Sequence, residues 1–257
     1  HSMTTTTDTF NSEALLNAWQ GWCGAVDCAH THTVWTADQL RTTADTMAAQ
    51  LRVSCCSGER IGVALANTAA FPVTLMAILQ AGCHPVLLSP QALNSAHQLR
   101  GIIQAQPTGA AHAFTVGDMA LGWQDGESGE DTVLTETTTI LHATSGTYGR
   151  ASFCLRNQRV AVAEAQNFVN AIGCYDSARV VITTPLYHAY AYGFGLVASL
   201  LTHSTLVIAP AFNPRQLASR ERDQASQILA LVPPMARVLA TLSGGHDHPP
   251  MPQHVFF

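Results

Sequence analysis

Short apolar runs recur along this chain, and stretches with helical spacing stand between them. Arg60–Ala66 (RIGVALA) is the clearest run, followed by an apolar helix expected from about Ala69 to Ala81 and stopped by Gly82. Pro85–Leu88 reads as the next strand, Gln91–Gln106 as a helix ending before Pro107, and Ala111–Val116 as a third strand. Gly117–Thr137, rich in Gly, Asp and Glu, reads as a surface connection. Beyond it come strand Thr138–Ala143, a turn, helix Arg159–Ile172, strand Arg179–Thr183 and a helix near Tyr192–Thr202. Strand Thr205–Ala209, helix Pro214–Arg222, strand Gln227–Val232, helix Pro234–Leu242 and strand His254–Phe257 complete the series, with helices Glu13–Trp22 and Ala37–Leu51 ahead of it. The runs lack the polar alternation of a half-solvated sheet, which implies burial on both faces. Alternating strands and helices of this kind predict an α/β fold, with mainly parallel sheets covered by helices on both faces.

Charge is sparse. Only 11% of the 257 residues are charged, against roughly 25% in an average soluble domain. All 12 basic residues are arginine, because the chain contains no lysine. That absence excludes a Walker phosphate loop, a pyridoxal-phosphate Schiff base and a kinase lysine. A net charge of −5 with no basic run argues against nucleic acid, whose binding needs clustered cations. No stretch reaches the 18 or so uninterrupted apolar residues of a membrane span. Seven cysteines, an odd number with no CxxC pair, read as reduced thiols in a cytoplasmic protein. His1-Ser2 ahead of Met3 reads as a tag remnant.

Two segments carry chemistry. Thr144-Ser145-Gly146-Thr147-Tyr148-Gly149 follows a predicted strand. Its glycines let backbone N–H groups turn inward while hydroxyls add donors, so it can wrap phosphate oxygens without a lysine. A hairpin or loop rich in turn formers is the plainer alternative. Pro185-Leu186-Tyr187-His188-Ala189-Tyr190-Ala191-Tyr192-Gly193-Phe194-Gly195 also follows a strand. Three tyrosines and a histidine beside glycines suit a flat or acyl-chain ligand, or else form a buried aromatic patch. Both loops are expected to follow successive strands of one sheet and so to open on the same edge, as one site with a phosphate cradle and an apolar pocket side by side. His30-x-His32 and His246-Asp247-His248 lack further ligands at metal spacing and read as solvated loop histidines, so no metal-binding residue is assigned. GxSxG, HExxH and GxGxxG are all absent.

These residues resemble a known family, the AMP-forming acid ligases (acyl- and aryl-CoA synthetases and adenylation domains). Thr144–Gly149 is similar to their TSGTTGxPK signature, and Pro185–Gly193 to their PL-aromatic-H segment. Trp35–Leu40 resembles an early (L)TYxEL element, and Arg60–Pro90 an internal GDRVAI…AxLAxxxAGAxxVPL stretch. The resemblance runs from about Thr36 to the end, carried by these four elements in order. Tyr148, Ala151 and Ser152 depart from the signature, and Ser152 stands where the loop lysine belongs. The resemblance implies that this lysine neutralises pyrophosphate, and Arg150 is the cation at hand to compensate.

The resemblance implies activation of a small carboxylic acid by ATP and Mg²⁺ to an acyl-adenylate. The acyl group then passes to a thiol of CoA or of an acyl carrier protein's phosphopantetheine. Thr144, Ser145, Gly146, Thr147 and Gly149 would bind ATP phosphates. His188 would act between nucleotide and acid, with Tyr187, Tyr190, Gly193 and Phe194 lining the acid channel. Aromatic lining favours an aryl acid such as a hydroxybenzoate, with a fatty acid next. Val255-Phe256-Phe257 reads as a strand whose following loop is missing, with an ordinary edge strand at a natural C-terminus as the plainer alternative. Residues 4–257 are therefore expected to be a truncated N-terminal (large) adenylation domain, without its C-terminal domain and inactive alone. The competing class is a non-catalytic nucleotide- or acyl-binding module derived from that family.

Overall fold

The computed structural model describes residues 13–91, 98–106, 112–126, 138–143, 152–173, 175–217, 228–242 and 254–256. The chain divides into two compact units. The first is His1–Gly21, Asp38–Leu65 and Ala69–Ala163; the second is Trp22–Ala37, Ala66–Thr68 and Glu164–Phe257. The strands, in chain order, are β1 (Ala25–Cys28), β2 (Thr33–Thr36), β3 (Arg60–Ala64), β4 (His84–Leu87), β5 (Gly101–Ala105), β6 (His112–Val116) and β7 (Met119–Asp125). They continue with β8 (Thr139–Ala143), β9 (Phe153–Asn157), β10 (Arg179–Ile182), β11 (Thr205–Ile208), β12 (Ile228–Ala230) and β13 (His254–Phe256). The helices are α1 (Ala14–Gly21), α2 (Ala37–Ser54), α3 (Ala70–Gln80), α4 (Gln158–Ile172), α5 (Ala198–Leu201) and α6 (Pro233–Leu242).

The first unit holds a seven-stranded sheet in the order β6-β7-β5-β3-β4-β8-β9. Its centre is parallel, β5-β3-β4-β8, and its flanks are antiparallel. α3 packs on β3 and β4 and against α1. It is apolar all round, and every residue from Ala70 to Leu79 is buried, the burial expected of a helix without a polar face. Asn157 caps α4 by accepting the Val160 N–H at 2.8 Å. The adjacent Gln158 caps a different helix. Its Oε1 accepts the Leu15 and Leu16 amides, each at 3.1 Å, which satisfies two orphan donors in the first turn of α1. Its Nε2 donates to Thr138 Oγ1 at 2.8 Å, so this fully buried carboxamide has both ends paired.

The second unit holds a six-stranded sheet in the order β13-β12-β10-β11-β1-β2. Every pairing is parallel except that of β1 with β2 at the edge. The α/β class with mainly parallel pairing is as expected; the antiparallel flanks are additional.

Several local expectations are corrected. Residues 101–105, expected as the end of a helix, form β5, where buried Ile102 and Ile103 sit between β3 and β7. An apolar pair without a longer period fits either element, and tertiary pairing decides. The stretch from Gly117, expected as a surface connection, begins instead as the turn of a hairpin. β7 pairs with β6, and Gly117 holds φ +57° at the first turn position, the positive φ that primed hairpin turns require. β1, β2 and β9 were not anticipated. The strands expected to share one sheet edge are separated: β8 lies in the seven-stranded sheet and β10 in the six-stranded sheet.

Candidate functional site

Thr144, Ser145, Gly146, Thr147 and Gly149 lie outside the described residues, as do Tyr148, Arg150 and Ala151. The strands that bracket them are described. β8 and β9 pair antiparallel, with Ala143 opposite Phe153, so the segment joins two neighbouring strands of the first unit. Ser152, which the motif resemblance sets at the loop-lysine position, is exposed immediately before β9.

The Pro185–Gly195 segment belongs to the second unit and is described throughout. β10 delivers it: the strand ends at Ile182, residues 183–188 form a loop, and a helical run starts at residue 189. Thr183 Oγ1 donates to Ala230 O of neighbouring β12 at 3.1 Å, which ties the loop's start to the sheet. The His188 N–H donates to Pro185 O at 3.0 Å, and His188 O accepts the Tyr192 N–H at 3.0 Å. His188 thus stands where the loop turns into the helix. Its ring lies 4.4 Å from that of Tyr187, tilted by 49°. The residue keeps an exposed face, yet partial burial lowers the imidazole pKa from its ordinary 6.5, and near neutral pH the ring is uncharged.

The helical run is not a regular α-helix. Ala191–Val197 forms a π-helix that continues into α5. Such stretches are uncommon and cluster at functional positions. Gly195 explains its closeness to the sheet, since a Cβ there would meet Ile182 Cγ1 at 2.5 Å. Tyr190 stacks on Phe194, with centroids 5.4 Å apart and planes 23° apart. Its hydroxyl donates to Leu231 O at 3.5 Å, and burial raises its pKa, which keeps the phenol protonated. Phe194 is only 4% exposed and also packs against Phe168 and Tyr175. Tyr175 Oη donates to Phe194 O at 2.9 Å. Gly193 is buried within the π-helix. Tyr187, His188 and Tyr190 therefore keep exposed surface, whereas Gly193 and Phe194 form the packed layer beneath.

Two features were not anticipated. A small, mainly apolar cleft lies at the carboxyl ends of β1, β10 and β11, where ligands of open α/β sheets sit, lined by Ala29, Thr183, Ala209, Phe212 and Asn213 among others. The other is Asn67, whose buried carboxamide bonds the main chain on both sides of Pro185. An asparagine after an apolar strand is a weak signal, and its partners lie 117 and 119 residues away. Among the described residues, no group of three His, Cys, Asp or Glu side chains is placed to hold a metal ion. No helix among them is long and apolar enough to cross a membrane.

This is the fold of the N-terminal domains of acyl-CoA ligases. The N-terminal domain of FACL13 from Mycobacterium tuberculosis superposes with TM-score 0.71 at 17% identity, over 93% of this chain and 67% of that one. The o-succinylbenzoate CoA synthetase MenE from Bacillus subtilis, solved with its acyl-adenylate intermediate, gives 0.73 at 17% identity over 95% and 67%. ATP-bound MatB from Rhodopseudomonas palustris gives 0.70 at 14% identity over 89% and 51%. In sequence, the chain is 28% identical over 113 residues to the peroxisomal OPC-8:0-CoA ligase 1 of Arabidopsis thaliana, a match covering 44% of this chain and 20% of that ligase. No family model matches the chain. The resemblance read from the four ordered motifs thus falls within a fold shared with that family's N-terminal part.

Proposed function

We propose that this chain is the nucleotide- and acid-binding part of an ATP-dependent, AMP-forming acid–thiol ligase. A carboxylate oxygen of the acid attacks the α-phosphorus of ATP, the bond to the β-phosphate oxygen breaks, and pyrophosphate leaves. A thiol of CoA or of a carrier protein's phosphopantetheine then attacks the acyl carbon and displaces AMP. The observation that carries the reading is the Pro185–Gly195 segment. Its aromatic residues and uncharged His188 follow a strand of a ligase-type fold, and the order of motifs resembles the same family.

Thr144, Ser145, Gly146, Thr147 and Gly149 are the proposed ATP-binding residues, acting by hydroxyls and backbone N–H groups because the chain has no lysine. His188 acts as an uncharged hydrogen-bonding group between acid and nucleotide, while Tyr187 and Tyr190 form the acid's aromatic wall over Gly193 and Phe194. Mg²⁺, when bound, would neutralise phosphate charge; the described residues offer it no ligand cluster, so no step here runs through it. An aryl acid such as a hydroxybenzoate is the favoured substrate, consistent with a neighbour that is an o-succinylbenzoate CoA synthetase, and a fatty acid comes next. We place the reaction in the cytoplasm, in keeping with an odd number of cysteines and no CxxC pair. The chain spans 51–67% of the three ligase structures compared above, so turnover is proposed for a polypeptide carrying the remaining length as well, and residues 1–257 alone are expected to turn over little.

A second reading has its own observation. The exposed Ser152 offers no charge for pyrophosphate, which suits a non-catalytic nucleotide- or acyl-binding module. Pyrophosphate release by the full-length protein, measured with a panel of aryl and fatty acids, separates the two. Release with one class of acid supports the ligase; ATP or acid binding without release supports the module.

A further inference from the structure

We propose that Asn67 is a positioning residue for His188, and that its carboxamide sets where the histidine-bearing loop leaves the sheet. The inference rests on the ligase reading only where it speaks of catalysis.

The geometry is specific. Asn67 is 2% exposed. Its Nδ2 donates to Thr184 O at 2.9 Å, and its Oδ1 accepts the Leu186 N–H at 2.7 Å. These two partners flank Pro185, which has no N–H to offer. Ladder pairing of β10 ends at Ile182, so the main chain around Pro185 must find partners elsewhere. A carboxamide presents one donor and one acceptor edge side by side, as a neighbouring strand would. An aspartate has no donor for Thr184 O, and a leucine has neither group. The clamp also grips a buried anchor, because Leu186 is fully enclosed.

From there the connection to His188 is short. Pro185 O, between the two clamped groups, accepts the His188 N–H at 3.0 Å, and His188 O starts the helical run through Tyr192. The imidazole is thereby carried by a turn whose base Asn67 holds. Loosening that base lets the ring move toward solvent without touching any group that contacts substrate. Misplacement of about 1 Å suffices to cost a reaction on the order of a hundredfold.

The test uses Asn67→Asp and Asn67→Leu, with the His188 imidazole followed by NMR. In a folded Asn67→Leu protein, which adds no charge, the His188 titration midpoint is expected to rise toward the ordinary value of 6.5. In full-length enzyme, kcat for adenylate formation should fall about 10- to 100-fold while KM for ATP stays within about twofold. Should neither variant fold, hydrogen exchange on the unaltered protein decides. The Leu186 amide should be protected as strongly as those of β10. A folded variant with an unmoved His188 midpoint, or a Leu186 amide exchanging as fast as an open loop, overturns the proposal. A wild-type enzyme without turnover removes the ligase reading and the kinetic arm, and the NMR arms still decide.

Discussion

The Arg179 guanidinium reaches the Asp27 carboxylate at 3.3 Å across an intervening strand. Asp27 lies on β1, Arg179 on β10, and β11 runs between them. Both Nη groups address Oδ2, at 3.4 and 3.3 Å. The Asp27 side chain is 3% exposed, so its charge has little access to water. Arg179→Ala leaves that carboxylate buried, which costs about 3 kcal/mol and lowers the urea midpoint. Arg179→Met with Asp27→Leu removes both charges and should recover most of the loss. Equal stability of Arg179→Ala and wild type would show that the pair contributes nothing to the second unit.

Gly195 brings the π-helix close against β10. Gly195→Ala places a methyl group 2.5 Å from Ile182 Cγ1, well inside contact distance, in a fully packed layer. A destabilisation of about 1–3 kcal/mol is expected from overpacking. Adding Ile182→Ala should relieve part of the clash, so the double variant should be more stable than the sum of the single losses. Strict additivity in a double-mutant cycle would remove the close approach as the reason for this glycine.

The pH dependence has a definite sign. Burial lowers the pKa of His188 and of His30 below 6.5, so the unfolded chain takes up these protons first as pH falls. Stability from the uncharged rings is complete above 6.5 and declines as pH drops from there to the lowered folded-state values. Urea titrations at pH 7.5 and 5.5 should show this loss in wild type and a smaller one in His188→Gln. An unchanged pH slope in that variant would contradict the lowered pKa.

Cysteine reactivity separates by burial. Burial first, then the nearby Glu59 carboxylate, pushes Cys55 up to about 11; burial pushes Cys83 up to about 12. Cys23, Cys56 and Cys154 are exposed. Ellman's reagent at pH 8 should label those three quickly and spare Cys55 and Cys83 until denaturant is added, because the thiolate is the reacting species. Rapid native labelling at Cys83, located by peptide mapping, would disprove its enclosure.

What could be read in advance follows from where local pattern and tertiary environment agree. β3, α3 and β4 were legible because continuous apolar runs match burial on all sides. β1 was hidden because Asp27 interrupts its apolar run, and Arg179, its partner in space, is 152 residues away. β2 and β9 were hidden because they are edge strands with largely exposed side chains, such as Val34 at 56% and Leu155 at 51%. At the candidate site, the identities of Tyr187, His188 and Tyr190 could be read from sequence. The π-helix could not, since its apolar stretch fits an α-helix equally well. The Asn67 clamp could not either, because both hydrogen bonds join segments that meet only after folding.

In the proposed reaction a carboxylate oxygen attacks the α-phosphorus, and isotope transfer reads that bond directly. Full-length enzyme would be given ATP, thiol acceptor and an acid labelled with ¹⁸O in both carboxyl oxygens, and the AMP product weighed by mass spectrometry. Attack at phosphorus leaves the bridging oxygen on AMP, so each AMP should carry one ¹⁸O. Thioester formation with unlabelled AMP, or with ADP and phosphate as products, would contradict attack by the carboxylate at the α-phosphorus.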